Sequence, residues 1–131
     1  MTDYLLDSNV LIQHLRSHQP TSDLLIRLAL EGTLGVAAIS RTEILAGMRE
    51  KERGMTMRLL DAMACYPLDH EVADRAGELL RRHRREGTTL DVPDAIIAAT
   101  ALVHDLVLVT YNPRHFPAVE LRRYGDMPAL R

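Results

Sequence analysis

Residues 4–12 read YLLDSNVLI. Tyr4-Leu5-Leu6 is a continuous apolar run short enough for a buried strand, and Val10-Leu11-Ile12 begins a helical apolar pattern. Asp7 stands between them, with Ser8 or Asn9 as the expected cap of the helix. A strand that ends on an acid and turns at once into a helix is the βα step of a layered α/β protein. In parallel sheets the sites lie beyond the carboxyl ends of the strands, where Asp7 falls.

The step repeats along the chain. LGVAAIS (34–40) reads as a second buried strand, YPLD (66–69) as a short strand or extended link, LVLVT (106–110) as a strand and VELR (119–122) as a short last one. Helices are expected between them. Pro20-Thr21-Ser22 restarts a helix that carries Leu24, Leu25, Leu28 and Ala29 on one face and ends at Gly32. Ser40-Arg41-Thr42-Glu43 has the form of a capping box opening EILAGMRE. Residues 55–65 place Met55, Leu59, Leu60 and Met63 at helical spacing. HEVADRAGELLRRHRREG turns Val72, Ala73, Ala76, Leu79 and Leu80 inward and closes at Gly87. LDVPDAIIAATALVHD has Pro93 in its first turn. Short continuous apolar strands alternating with helices predict an α/β three-layer sandwich, its central sheet mainly parallel and flanked by helices on both faces.

Length and composition are consistent with this. The 131 residues suit one domain over residues 1–131, with 47% apolar and 26% charged residues. No run approaches the roughly 20 apolar residues of a membrane span, and the first residues lack the basic start and apolar length of a signal peptide. Cys65 is the one cysteine, which excludes an internal disulfide and fits a reducing, cytoplasmic setting. The net charge of −2 gives no global field for nucleic acid. Lys51 is the sole lysine among 16 basic residues; arginine suits bidentate phosphate contacts, and a GC-rich genome produces the same bias. Arg81, Arg82, Arg84 and Arg85 crowd one helix end, either as a solvated complement to the helix dipole or as phosphate ligands. His14 and His18, four apart, lack a third zinc ligand and read as an exposed helix face.

Three acids do not fit a core. Asp7 joins two buried elements, Glu43 precedes Ile44-Leu45, and Asp94 shares a helix face with Ile97, Ala98, Ala101 and Leu102. Each has a local reading: a helix-start acid at Asp7, a capping box at Glu43, and a cap pairing with Asp91 at Asp94. Together, inward-facing carboxylates at one strand-end cleft repel unless a cation compensates them, and oxygen donors suit Mg²⁺ or Mn²⁺.

YLLDSNVLI, AISRTEILAG, PLDHEVADRAGELL and DVPDAIIAATALVHDLVLVTYNPRHF, in this order, resemble the PIN domain, and most closely the VapC-type toxins of VapBC toxin–antitoxin modules, over about residues 3–120. The resemblance implies a PIN-like fold and a metal-dependent endoribonuclease. In it Asp7, Glu43 and Asp94 match acids that bind Mg²⁺ (or Mn²⁺), and Thr110 and Asn112 match the small polar residues of the last motif. It also implies a cognate VapB-type antitoxin that lays a segment in an apolar groove, here expected along the Met- and Leu-rich helices from Ser22 to Cys65, and often offers an arginine to the acids. Homodimers, and heterotetramers or larger assemblies with the antitoxin, go with this. NPRHF departs from the family pattern: His115 occupies the usual fourth-acid position, which puts a second metal in doubt and offers a phosphate contact or proton donor instead. Arg114 is a candidate phosphate ligand. Two other readings compete: a catalytically weak PIN-like module that binds RNA or antitoxin, and a haloacid-dehalogenase-like phosphatase, which needs a second aspartate where this chain has Asn9.

Overall fold

A computed structural model describes residues 2–130. Four parallel strands, β1 (Tyr4–Leu6), β2 (Leu34–Ala37), β3 (Ala64–Tyr66) and β4 (Val107–Val109), form one sheet in the order β3-β2-β1-β4. Helices α1 (Ser8–Leu15) and α2 (Gln19–Glu31) join β1 to β2. Helices α3 (Ala38–Gly47) and α4 (Arg53–Asp61) join β2 to β3, with a 3-10 turn at Glu50–Glu52 between them. Helices α5 (His70–Arg85) and α6 (Val92–Val103) then carry the chain from the β3 edge to β4, beyond β1.

Strand alternation builds the three layers. Leu5, Ala37 and Leu108 point into a core with Val72, Ala76 and Leu79 of α5 and Ala95, Ala98 and Ala101 of α6. Their strand neighbours Leu6, Val36 and Val109 point the other way, into a core with Val10, Leu11, Leu24, Leu28, Ile44 and Leu60. Both faces of each central strand are therefore covered, which is why these strands read as unbroken apolar runs. The four alanines Ala95, Ala98, Ala99 and Ala101 let α6 lie close on the sheet.

Several boundaries differ from the sequence reading, each for a local reason. Asp7 itself, not Ser8 or Asn9, caps α1, accepting from the Ser8 amide at 2.8 Å. The helix break falls at 16–18, and Pro20 sits inside the first turn of α2, where its missing N–H costs nothing. β2 runs straight into α3, so Ser40 lies within the helix and Ala37 is its cap; the Ser40–Glu43 capping box does not form. Asp91 caps α6 in position only, without a side-chain hydrogen bond, so the Asp91–Asp94 pairing is absent too. β3 takes Ala64–Tyr66 from the end of the expected 55–65 helix, and Met55 is exposed. In place of a VELR strand, Arg123 makes a single parallel bridge to Leu108. Ala29 and Ala73 face solvent, and His83 is buried, its Nδ1 2.8 Å from the Leu79 carbonyl. His14 and His18 are half-buried against hydroxyls, Nδ1 to Ser22 Oγ and to Thr21 Oγ1, both 2.7 Å.

Beyond β4 a 3-10 turn, Pro113–His115, is pinned by Phe116, 1% exposed in the α5–α6 core. The Arg123 guanidinium donates to the carbonyls of Phe116, Ala118 and Leu121 and ties down the tail. Phe116→Ala is expected to lower the unfolding free energy by about 3–5 kcal/mol, read from urea denaturation; a loss below about 1 kcal/mol would show that the turn is anchored elsewhere.

Candidate active site

Asp7 ends β1 at the carboxyl edge of the sheet and is only 6% exposed. The core fixes its position: β1 is buried on both faces, and Val10 and Leu11 lock α1 behind it. One oxygen takes the Ser8 amide, and the other takes the Thr110 hydroxyl at 2.8 Å. Burial holds its carboxyl above the ordinary range, opposed by the bonds from Thr110 and Ser8 and by His115 nearby. β2 and β4 flank β1 but are reached by separate crossovers, so Asp7 and Thr110 meet where the strand order switches.

Two more acids come from separate elements. Asp94 projects from the first turn of α6, its side chain 22% exposed, and Glu43 rises from α3 into solvent. Both carboxyls are raised above their usual values, first by loss of water around them. Asp94 is raised further by Asp7 and Asp91 but lowered by His115. Glu43 is raised further by Asp7 and Asp94, with the Ser8 hydroxyl acting in the opposite sense. The three expected acids thus share one field. Among the described residues no three side chains are already closed into a ligating cluster.

The 110–116 turn completes the site. Thr110 is buried: its hydroxyl donates to Asp7 and accepts from the Asn112 amide at 3.0 Å, so it positions Asp7 and has no proton left for a substrate. Asn112 and Arg114 are exposed. His115 is 60% exposed, with Nδ1 3.8 Å from Asp94 Oδ2. Two contributors escaped the sequence reading. Asn9 accepts from the Tyr111 amide at 3.3 Å and reaches Thr110 with its amide nitrogen. Tyr111 shares a hydrogen with buried Thr21 at 2.5 Å. A polar residue facing the buried side of α1, next to Val10, was the available signal for Asn9.

A PIN-domain family model matches residues 4–121. The chain belongs to the PIN-domain family. It is 41% identical to ribonuclease VapC10 of Mycobacterium tuberculosis, covering 88% of this chain and 87% of that protein. With ribonuclease VapC19 of the same organism the identity is 35%, over 86% and 91%. Among solved structures, a DNA-bound VapBC from Salmonella typhimurium superposes with TM-score 0.83 over 95% of this chain and 98% of that one, at 21% identity, a likeness of fold.

Within this PIN fold the donor set fits a hard divalent cation. Asp7, Asp94 and Glu43 offer only oxygens, and all three carry raised carboxyl values that a positive charge would reverse. A cavity of about 440 Å³ opens beside Glu43, its lining including apolar Ile12, Leu15, Ile44 and Met48 and charged Arg16 and Arg49. It lies between α1, α3 and α4; α2, which the sequence reading included, takes no part.

Because the folded values of these acids lie above their unfolded ones, the fold binds more protons than the unfolded chain just above the ordinary carboxylate range. Their contribution to stability is full below that range and is lost as pH rises through the raised values. Asp94→Asn is therefore expected to raise the melting temperature at neutral pH and to flatten its decline as pH rises above the ordinary carboxylate range. Mg²⁺ should raise the melting temperature of the parent protein more than that of the variant. Equal shifts would separate Asp94 from the metal.

Proposed function

We propose that the chain is a metal-dependent endoribonuclease, the toxin of a type II toxin–antitoxin pair. The carrying observation is the convergence of buried Asp7 with Asp94 and Glu43 at the sheet's switch point; kinship with ribonucleases VapC10 and VapC19 supplies the substrate class. Asp7, Asp94 and Glu43 would hold Mg²⁺ or Mn²⁺, which supplies positive charge to polarise a phosphate oxygen and lower the pKa of a water. Asp7 is the rigid member, since both oxygens are oriented by the fold. Glu43, open to solvent and raised first by loss of water around its carboxyl and then by Asp7 and Asp94, is the acid suited to orient the attacking water and take its proton. Water attacks phosphorus in line and the 3′ oxygen leaves. His115, beside Asp94 and open to solvent, is placed to contact the phosphate or hand a proton to that oxygen, with Asn112 and Arg114 on the same turn as backbone contacts.

The cavity beside Glu43 is the seat we assign to a segment of a VapB-type antitoxin. Apolar Ile12, Leu15, Ile44 and Met48 would receive its side chains, and an antitoxin arginine would meet the acids. This reading draws on structural neighbours that are toxin–antitoxin complexes. The phosphatase alternative lacks its general acid, because Asn9 is neutral and tied to Tyr111 and Thr110. One observation favours a weak binding module: an imidazole next to Asp94 offers no negative charge to a second cation.

Purified, antitoxin-free protein is expected to cut total RNA into discrete fragments with Mg²⁺ or Mn²⁺, and not with a chelator. Asp94→Asn, folded, should lose at least about 100-fold in rate, the order expected when charge stabilisation at the reacting centre is removed. RNA binding without cleavage by the parent protein, with cleavage gained in His115→Asp, would identify the weak module instead.

A further inference from the structure

The α5–α6 hairpin carries a charge pattern that neither the core nor the acid site uses. The structure sorts the cluster 81–85 into distinct roles. Arg82 is bound at both nitrogens to Glu120, 2.7 and 2.7 Å, and His83 is buried. Arg81, Arg84 and Arg85 are exposed and, among the described residues, have no carboxylate partner. Positions i, i+3 and i+4 share one helix face, where like charges repel. The helix dipole accounts for about half an elementary charge, less than the three cations present. Beside the stripe runs a groove of about 340 Å³, lined by Leu80, Arg84, Gly87, Thr88, Thr89 and Leu90. Gly87, at φ +74°, turns the chain there toward α6. Since α5 and α6 pack together and only 86–91 separates them, the arginines share one end of the hairpin with the first turn of α6, which holds Asp94.

We propose that Arg81, Arg84 and Arg85, with the Thr88–Thr89 groove, form a track for the phosphodiester backbone of single-stranded RNA leading away from the scissile bond. The assignment rests on the ribonuclease reading. Charge complementarity selects a polyanion. The groove's apolar members, Leu80 and Leu90, are already packed against the core, so the face lacks the apolar centre that a protein partner needs. Phosphate contacts need only cations and hydroxyls. Side chains three or four apart on a helix stand about 5–6 Å apart, comparable with the step between phosphates of an extended strand.

Binding of a fluorescein-labelled single-stranded RNA, measured in chelator across a KCl series, tests this. Combined Arg81→Gln, Arg84→Gln and Arg85→Gln should weaken binding on the order of tenfold and make the log–log salt slope shallower by about two, at about 0.7 per phosphate contact on a single strand. Arg84→Gln alone should remove about one contact's share of that slope, which covers the case of a triple variant that folds poorly. Arg82→Gln, circular dichroism unchanged, should leave the slope as it is. In metal-supported cleavage the triple variant should raise KM and spare kcat. Parallel salt slopes for the parent and both folded variants would overturn the track, as would loss of poly-glutamate binding with RNA binding intact, which would assign the face to an acidic protein. RNA binding with the full slope but no cleavage would instead defeat the nuclease reading and leave the track standing.

Discussion

The structure turns on one hydrogen bond across the sheet, from the Thr110 hydroxyl to the Asp7 carboxylate. It joins the ends of β1 and β4, strands adjacent in space but far apart in sequence. A buried carboxylate is tolerable only with such partners, so Asp7 requires Thr110, and Thr110 requires the turn whose Asn112 amide completes it. Asn9 ties the same turn to α1. The polar edge of the sheet is thus a connected set, and the acids that face solvent are mounted on it.

The two cores give this edge its rigidity. β1 contributes Leu5 to one and Tyr4 and Leu6 to the other, so a one-residue slip in its register would exchange the layers. Asp7 is held at the end of a strand that cannot slide. Asp94 is held by a helix whose alanines bring it flush with the sheet. Glu43 has the most freedom, since only Ile44 next to it is fully in the core. This gradient from buried to exposed acid runs from the centre of the sheet to solvent.

Much of this was legible in the sequence. The three-layer arrangement followed from unbroken apolar strands between helices, and Asp7 and Asp94 stood out as charges in apolar company. Local chemistry misled at the caps. Ser40-Arg41-Thr42-Glu43 has the letters of a capping box, yet β2 enters α3 without a loop and leaves Ser40 inside the helix. β3 was misplaced because Met63-Ala64-Cys65 continues a helical pattern; pairing with β2 outweighs that local preference. The roles of Thr110 and Asn9 depend on contacts between residues about a hundred positions apart, beyond the reach of any local pattern.

The 113–115 turn combines a fixed backbone with a free side chain. Phe116 and Arg123 hold the main chain, while the His115 imidazole projects into solvent. Substitutions at such exposed positions usually change stability by no more than about 0.5 kcal/mol. The His115 side chain is therefore uncoupled from the folding of the chain. It is a position where the charge beside Asp94 can be changed, imidazole for acid, while the architecture beneath stays the same.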